Sequence, residues 1–345
     1  MPERICVGVD AMGGDSAPSV EVHGALLAAK ESNGEFDVLL VGDEERIYRH
    51  LDRAEAEGLG IRIQHSADRI SMEESAAFAS RRKQDSSIVV AARLLKEGRI
   101  DALVSAGNTG AVVSSMLLTL GRIPGIQRPA IGVLIPTPTG HTILLDVGAN
   151  SDCKAIHLYQ FALMGKVYAQ TVYHVAEPRV GLLNIGEEHS KGTEASVQAH
   201  KLLSESRPHI NFIGNVEGRD VLKGTADVVV CDGFTGNVIL KFAESVVGML
   251  MQTVRREMEK NLKFRVGAML LKPVFKRLRS RFNYEEYGGA PLLGADGICV
   301  IGHGASSPLA IKNAIKVAAE SARSRINDRI KEELDREQAQ RQILG

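Results

Sequence analysis

The sequence predicts an α/β protein: a three-layer α/β/α domain around a mostly parallel sheet, from which a helical hairpin protrudes. Three observations carry that expectation. Short β-branched runs alternate with longer helical patterns, which is βαβ order. Most of the runs end in Gly, Asp or Asn and pass straight into a helical stretch. One long helix with an apolar stripe, followed by a purely basic segment, stands outside the alternation.

In chain order, ICVGVD is the first strand, residues 17 to 32 the first helix, DVLLVG the second strand, a charged stretch near 43 to 57 the second helix and IRIQ the third strand. DALVSAG leads into a helix from about 108 to 121, AIGVLIP and TILLDVG follow as strands, and a helix runs near 154 to 174. RVGLLNIG, a helix near 192 to 205, INFIGNV, ADVVVCDG and finally GICVIGHG complete the alternation. Residues 1 to 325 are expected to form a single α/β/α domain that includes a hairpin at about 235 to 285, and the charged residues 326 to 345 a solvated helix or frayed tail.

Composition narrows the function. With 345 residues, 44% of them hydrophobic and 24% charged, the chain is long enough for a sizeable core. Lys plus Arg equals Asp plus Glu at 42 each, so no overall excess argues for nucleic acid or a membrane surface, and any such signal is local. Cys6, Cys231 and Cys299 sit in short apolar runs and there is no CxxC pair, so a reduced cytoplasm is the expected setting. No stretch of 18 uncharged apolar residues exists, and a membrane-spanning segment is not expected.

Ligands of open parallel sheets gather outside the carboxyl ends of the strands. Six strand-end turns there are rich in Gly and polar residues: Asp10 to Asp15, Ser105 to Gly110, Asp146 to Asn150, Gly186 to Thr193, Asp232 to Asn237 and Gly302 to Pro308. Each alone is accounted for by turn and cap chemistry. Together, at one edge of the sheet, they predict a binding cleft. Neither G-x-x-x-x-G-K-[ST] nor G-x-G-x-x-G occurs, so nothing argues for a nucleotide cofactor, and none is expected.

The segment that stands apart begins near Asn237, where Ile239, Phe242, Val246, Leu250, Val254, Met258 and Leu262 mark one apolar helix face. Residues 260 to 284 then hold eight Lys/Arg and no Asp/Glu, which leaves a formal −8 on the remainder of the neutral chain. A dimer interface accounts for the apolar face. Lys272, Lys276 and Arg277, with Leu270, Leu271 and Phe275 among them, also suit an anionic membrane surface or an acidic protein partner.

With VGVDAMGGDSAP, SAGNTGA, RPAI, DVGANSDCK, LLNIGEEHSKGTE, IGNVEGRD, CDGFTGNVILK and YGGAPLLG in place, roughly residues 4 to 325 closely resemble the bacterial phosphate acyltransferases. That resemblance implies a fold like the isocitrate and isopropylmalate dehydrogenases and the phosphate acetyltransferases, and a homodimer. It implies transfer of an acyl group from acyl carrier protein to inorganic phosphate, peripheral membrane attachment at the inner face of the cell membrane, and a product passed to a membrane glycerol-phosphate acyltransferase.

Such a reaction asks for three things: a phosphate site made of helix-start N–H groups and a cation, fixed donors for an oxyanion, and an acid for the departing thiolate. Lys191, with Ser190, Gly192 and Thr193, is the first candidate for phosphate, and Gly304 with Ser306 offers a second anion position. Asn108, Asn150 and Asn237 are candidate oxyanion donors. His303 is the candidate acid, with His189 as a rival. Gly13, Gly14, Thr109 and Thr235 line the same turns. Asp10, Asp15, Asp146 and Asp232 are expected to orient neighbours or meet the carrier's pantetheine arm; no His/Asp spacing calls for a metal, and none is expected. Cys153 opens a helix, yet direct attack by phosphate requires no cysteine nucleophile. Two other functions stay open: an NAD-dependent decarboxylating dehydrogenase on the same fold, and a non-catalytic scaffold holding acyl carrier protein at the membrane.

Overall fold

The computed structural model describes residues 4–138, 140–206, 209–282 and 287–344. Its elements are, in order, β1 (Ile5–Asp10), α1 (Ser19–Ser32), β2 (Phe36–Gly42), α2 (Glu44–Tyr48), α3 (Arg53–Gly58), β3 (Ile61–His65), α4 (Ala76–Arg82), α5 (Ser87–Lys96), β4 (Ala102–Ser105), α6 (Thr109–Thr119), β5 (Ala130–Thr137) and β6 (Gly140–Leu145). There follow α7 (Ala155–Val172), β7 (Val180–Leu183), α8 (Glu194–Glu205), β8 (Phe212–Val216), α9 (Gly218–Lys223), β9 (Val228–Val230), α10 (Gly233–Glu259), α11 (Leu262–Phe282), β10 (Ala290–Leu293), β11 (Ile298–Ile301), α12 (Pro308–Arg323) and α13 (Ile326–Leu344).

The strands form one sheet in the order β3-β2-β1-β4-β11-β10-β5-β6-β9-β7-β8. Both faces are buried, and the period-2 alternation shows it: Val38 and Leu40 of β2 point into one core layer, Leu39 and Val41 into the other. One layer, under α5 and α6, runs beneath both halves of the sheet, while the opposite face carries two clusters, one with α1 and α12, the other with α7 and α8.

The sheet is not uniformly parallel. β10 runs antiparallel to both β11 and β5, and β5 is antiparallel to β6, whereas β6, β9, β7 and β8 are parallel to one another. The half containing β6 therefore runs opposite to the half containing β1. This corrects the expectation that all six turns share one edge: the carboxyl ends of β1, β4 and β11 lie at one edge, and those of β6, β9 and β7 at the other.

Other departures have local causes. The helix expected near 43 to 57 is broken in two, because Asp43 and Asp52 each cap a new start through bonds to Arg46 N and to Ala54 N and Glu55 N. The long helix starts at Gly233, with Asp232 as its cap. The segment expected as a solvated or frayed tail is helical, but Ile326, Ile330 and Leu334 are buried against α7, and Lys166 pairs with Glu333. An i, i+4, i+8 spacing makes a stripe from only three apolar residues. By length and composition α10 would also suffice to cross a membrane, which the sequence reading did not anticipate; Lys241 and Glu244 interrupt it, and its first turn is packed into the protein, with Gly233 and Gly236 buried.

Candidate active site

At the first edge, the turns after β1, β4 and β11 interlock. Asp10 is 2% exposed; its Oδ2 accepts from Ser105 Oγ at 2.7 Å and its Oδ1 from Met12 N at 3.2 Å. Burial raises its pKa, against the Ser87 and Ser105 hydroxyls and the Met12 amide, which favour the charged form. Gly13 is required because a Cβ there would lie 2.8 Å from Gly107 N, and Asp15 N donates to Gly304 O at 2.9 Å. Glu21 of α1 lies beneath this turn, with the Gly14 amide donating to its Oε1 at 3.2 Å. Burial pushes the Glu21 carboxyl up to about 7, and the charges of Asp10 and Asp15 add to that.

One predicted residue here proves to be a cap. Asn108 Oδ1 accepts from Ala111 N at 3.1 Å and its Nδ2 donates to Met72 O at 2.9 Å, so its amide is committed on both sides and it is no oxyanion donor. Thr109 is exposed in the first turn of α6. Ser307, and not the buried Ser306, caps α12. His303 is exposed; its Nδ1 accepts from Ala305 N at 3.1 Å, so a neutral ring carries its proton on Nε2.

The second edge is built around Asp146. Fully buried, it accepts from the amides of Ile131, Gly148 and Ala149 through Oδ1, at 3.0 to 3.1 Å, and from Asn150 N at 2.7 Å through Oδ2. Asn150 Nδ2 spends both hydrogens, on Asp146 Oδ2 at 2.9 Å and Pro129 O at 2.7 Å, so Asn150 is also a strut. The start of α10 docks here: Gly233 N donates to Asn150 O at 2.7 Å, and a Cβ on Gly236 would collide with the Asp146 carbonyl. Asp232 caps α10 through Thr235 N at 2.8 Å and Thr235 Oγ1 at 2.7 Å, which accounts for both residues. Of the three asparagines, Asn237 alone makes no amide hydrogen bond with a described residue; its Cγ faces Gly148, 3.9 Å from where a Cβ would stand. Cys153 is buried, and burial with the charges of Asp146 and Asp232 pushes its thiol up to about 12, against thiolate chemistry.

Next to this edge, Ser190, Lys191, Gly192 and Thr193 are all exposed between β7 and α8. Lys191 N donates to Glu188 O at 3.1 Å and Lys191 O accepts from Asn184 Nδ2 at 2.8 Å, while its ammonium pairs with no described acid. Gly192 holds φ at +97°, and Thr193 caps α8 by accepting from Ser196 N. His189 is exposed, its ring centroid 6.3 Å from that of His200. Among the described residues the carboxylates that cluster are Glu187, Glu217 and Asp220, already paired with Arg219 and Lys223; none of the four acids considered for a metal is among them.

On α10 and α11, which contact each other, Phe242 is 70%, Met269 75% and Leu270 78% exposed, and Leu271, Lys272 and Arg277 are exposed too. Phe275 is half-buried. The side chain of Lys276 and residues 283 and 284 of the basic segment lie outside the described set.

Sequence reasoning missed Glu21, Ser87 and His157. Glu21 stands in the first turn of α1, where an acid is ordinary, and no local signal marked it. His157 is buried in α7 and accepts from Lys154 N at 3.1 Å; burial, then the charges of Arg128 and Lys154, hold it below the usual histidine value.

Two interlocked sets of glycine-rich turns on a mixed α/β sheet define the class: the fold of the phosphotransacetylases. The phosphotransacetylase from Streptococcus pyogenes matches with a TM-score of 0.61 at 17% identity, over 93% of this chain and 95% of that one. EutD phosphotransacetylase from Staphylococcus aureus gives 0.57, at 17% identity over 92% and 94%. Residues 5–329 match the family model described as fatty acid synthesis protein. The phosphate acyltransferase of Dictyoglomus turgidum is 51% identical over 331 residues, 96% of this chain and 98% of its own length, and that of Moorella thermoacetica 53% identical over 312 residues, 90% and 91%. The chain belongs to the phosphate acyltransferase family, and is an acyltransferase.

Proposed function

We propose that this protein transfers a fatty acyl group from acyl carrier protein to inorganic phosphate, releasing an acyl phosphate for phospholipid synthesis. The observation that carries this is similarity at about half identity along nearly the whole chain to proteins named phosphate acyltransferase. In the step, a phosphate oxygen bonds to the thioester carbon, the C–S bond breaks, and the proton of hydrogenphosphate ends on the pantetheine thiol. His303, proton on Nε2, is the relay for that proton, Asn237 the oxyanion donor, and Lys191 with the start of α8 the phosphate holder.

The reversal of the sheet does not prevent the two sets of turns from serving one cleft. Neighbouring strands twist by roughly 20–25°, so the six steps from β1 to β9 accumulate about 130° and offset most of the 180° reversal. The carboxyl ends then project to the same side, on the order of 30 Å apart at about 4.8 Å per strand. β11 and β9 stand nearer, four strands or about 19 Å apart, and the turns that follow them carry His303 and Asn237 into one cleft across that gap.

For α10 and α11, a hairpin whose α10 face pairs with a second copy leaves the basic α11 side for the anionic inner face of the cell membrane, where a glycerol-phosphate acyltransferase would receive the product. The deciding assay mixes the protein with palmitoyl acyl carrier protein and phosphate and looks for hydroxylamine-reactive acyl phosphate. Absence of product, with the carrier still bound, leaves a scaffold.

A further inference from the structure

The loop from Gly121 to Pro129, between α6 and β5, borders a cleft of about 490 Å³, open to solvent, that none of the groups above occupies. That volume is within the range of small-molecule sites, roughly 300–1,000 Å³. Leu117, Ile123 and Ile126 give it an apolar wall; Arg122, Gln127 and Arg128 supply its polar side chains, and no Asp or Glu lines it.

The loop is a built structure. Ile123 N donates to Gly294 O at 3.0 Å, Gln127 N to Gln160 Oε1 at 2.8 Å, and Gln160 Nε2 to Gly125 O at 2.7 Å. Arg122 closes it with a bond to the Gln127 carbonyl. Through Pro129 O, bonded to Asn150 Nδ2, the cavity wall continues into the turn around Asp146. Arg122 and Arg128 are exposed and pair with no described acid. Two guanidinium groups beside an apolar wall fit a ligand that is anionic at one point and aliphatic beyond it, and the planar guanidinium matches phosphate oxygens two at a time.

We propose that this cavity binds a phosphate ester bearing a flexible chain, the anion on Arg128 and Arg122 and the chain along Leu117, Ile123 and Ile126. This rests on the reading of the neighbouring turns as an acyl-to-phosphate transfer site. Two molecules of that reaction have the required chemistry, the phosphopantetheine handle of the donor and the acyl phosphate product.

Calorimetric titration with 4′-phosphopantetheine and, separately, decylphosphonate tests it on the wild type, Arg128→Ala and Arg128→Lys. At least one ligand is expected to bind the wild type, at least tenfold more weakly to Arg128→Ala, with partial recovery in Arg128→Lys; which ligand responds names the source. Thermal melts confirm that the variants fold, since Arg128 makes no described bond within the loop. In turnover, Arg128→Ala raises the KM of a phosphopantetheine donor relative to that of an N-acetylcysteamine thioester if the donor is the source. The proposal is overturned if neither ligand binds, if both bind the variants as they bind the wild type, or if inorganic phosphate alone binds as tightly as the esters and is lost in the same way. A wild type that forms no acyl phosphate from any donor sinks the functional reading and leaves the titration to decide the cavity separately.

Discussion

Glu21 accepts a hydrogen bond from the Gly14 amide on one carboxyl oxygen, while the other, Oε2, is buried and meets no polar partner. A helix side chain thus props the first glycine-rich turn from beneath, between Asp10 and Asp15, and Gly14 is glycine because a Cβ there would collide with Glu21 Oε1.

The pH dependence follows. In the fold the Glu21 carboxyl is pushed up to about 7 from a usual 4.5, so the native state holds a proton that the unfolded chain has released. Its contribution is fully present below pH 4.5 and is lost as pH rises to 7, about 3 kcal/mol in all. Denaturant titrations of wild type and Glu21→Gln between pH 4.5 and 8 isolate it, since Asp10 and Asp146 stay in both. The difference should grow in favour of Glu21→Gln as pH rises; a pH-independent difference would mean the carboxyl is not neutral.

Gly236 has no room for a side chain, because a Cβ would strike the backbone carbonyl of Asp146, a residue itself held by four backbone amides. Gly236→Ala should lower stability by about 1–3 kcal/mol. Gly248→Ala in the same helix, with nothing within 4 Å, should be neutral or stabilising by up to about 1 kcal/mol. Urea midpoints of the two variants decide; equal midpoints would dissolve the claim that α10 is locked at its start.

Asn150 and Asn237 look alike in sequence, each beside a glycine-rich strand end, yet they should behave oppositely. Asn150→Ala leaves Pro129 O without a donor and Asp146 Oδ2 with only the Asn150 backbone amide, and should cost about 1–3 kcal/mol of stability. Asn237→Ala should melt near the wild type while kcat falls about 10²- to 10³-fold. Thermal melts beside initial rates separate them, and normal turnover by Asn237→Ala removes it from the site.

What the sequence made legible was local. β2 and β4 showed as short, continuous apolar runs of a sheet buried on both faces, and Asp232 and Thr193 stood where caps stand. β10 was not visible, being four residues with Pro291 inside and two glycines before it. The reversal between β5 and β6 was within reach, because a connection from Thr137 to Gly140 is too short for a parallel crossover; the sheet order that turns that hairpin into a division of the turns into two sets was not. Likewise nothing local to Asn150 reveals that Pro129, distant in sequence, takes its hydrogen.

Lys191 offers an exposed ammonium with no described counter-ion, beside the start of α8. Lys191→Ala should raise the KM for phosphate tenfold or more without shifting the thermal midpoint, because the side chain supports nothing in the fold. Lys191→Arg should recover part of the loss. An unchanged KM in the alanine variant would move the phosphate site elsewhere.

The exposed faces of α10 and α11 make separable predictions, since one is apolar and the other basic. Phe242 is 70% exposed on α10, and an apolar side chain of that size left in water favours association. Phe242→Glu should therefore dissociate the proposed dimer in sedimentation equilibrium, and a wild type that sediments as a monomer would remove the dimer from the proposal. Lys272→Glu with Arg277→Glu should leave the dimer intact and weaken co-sedimentation with anionic vesicles, each reversed cation contributing about 1 kcal/mol near the surface. The wild-type binding should fall as salt rises, because those charges are solvated and screened. If the double variant still binds anionic vesicles but loses affinity for acyl carrier protein, the basic side of α11 faces the acidic carrier, and the membrane is reached by another surface.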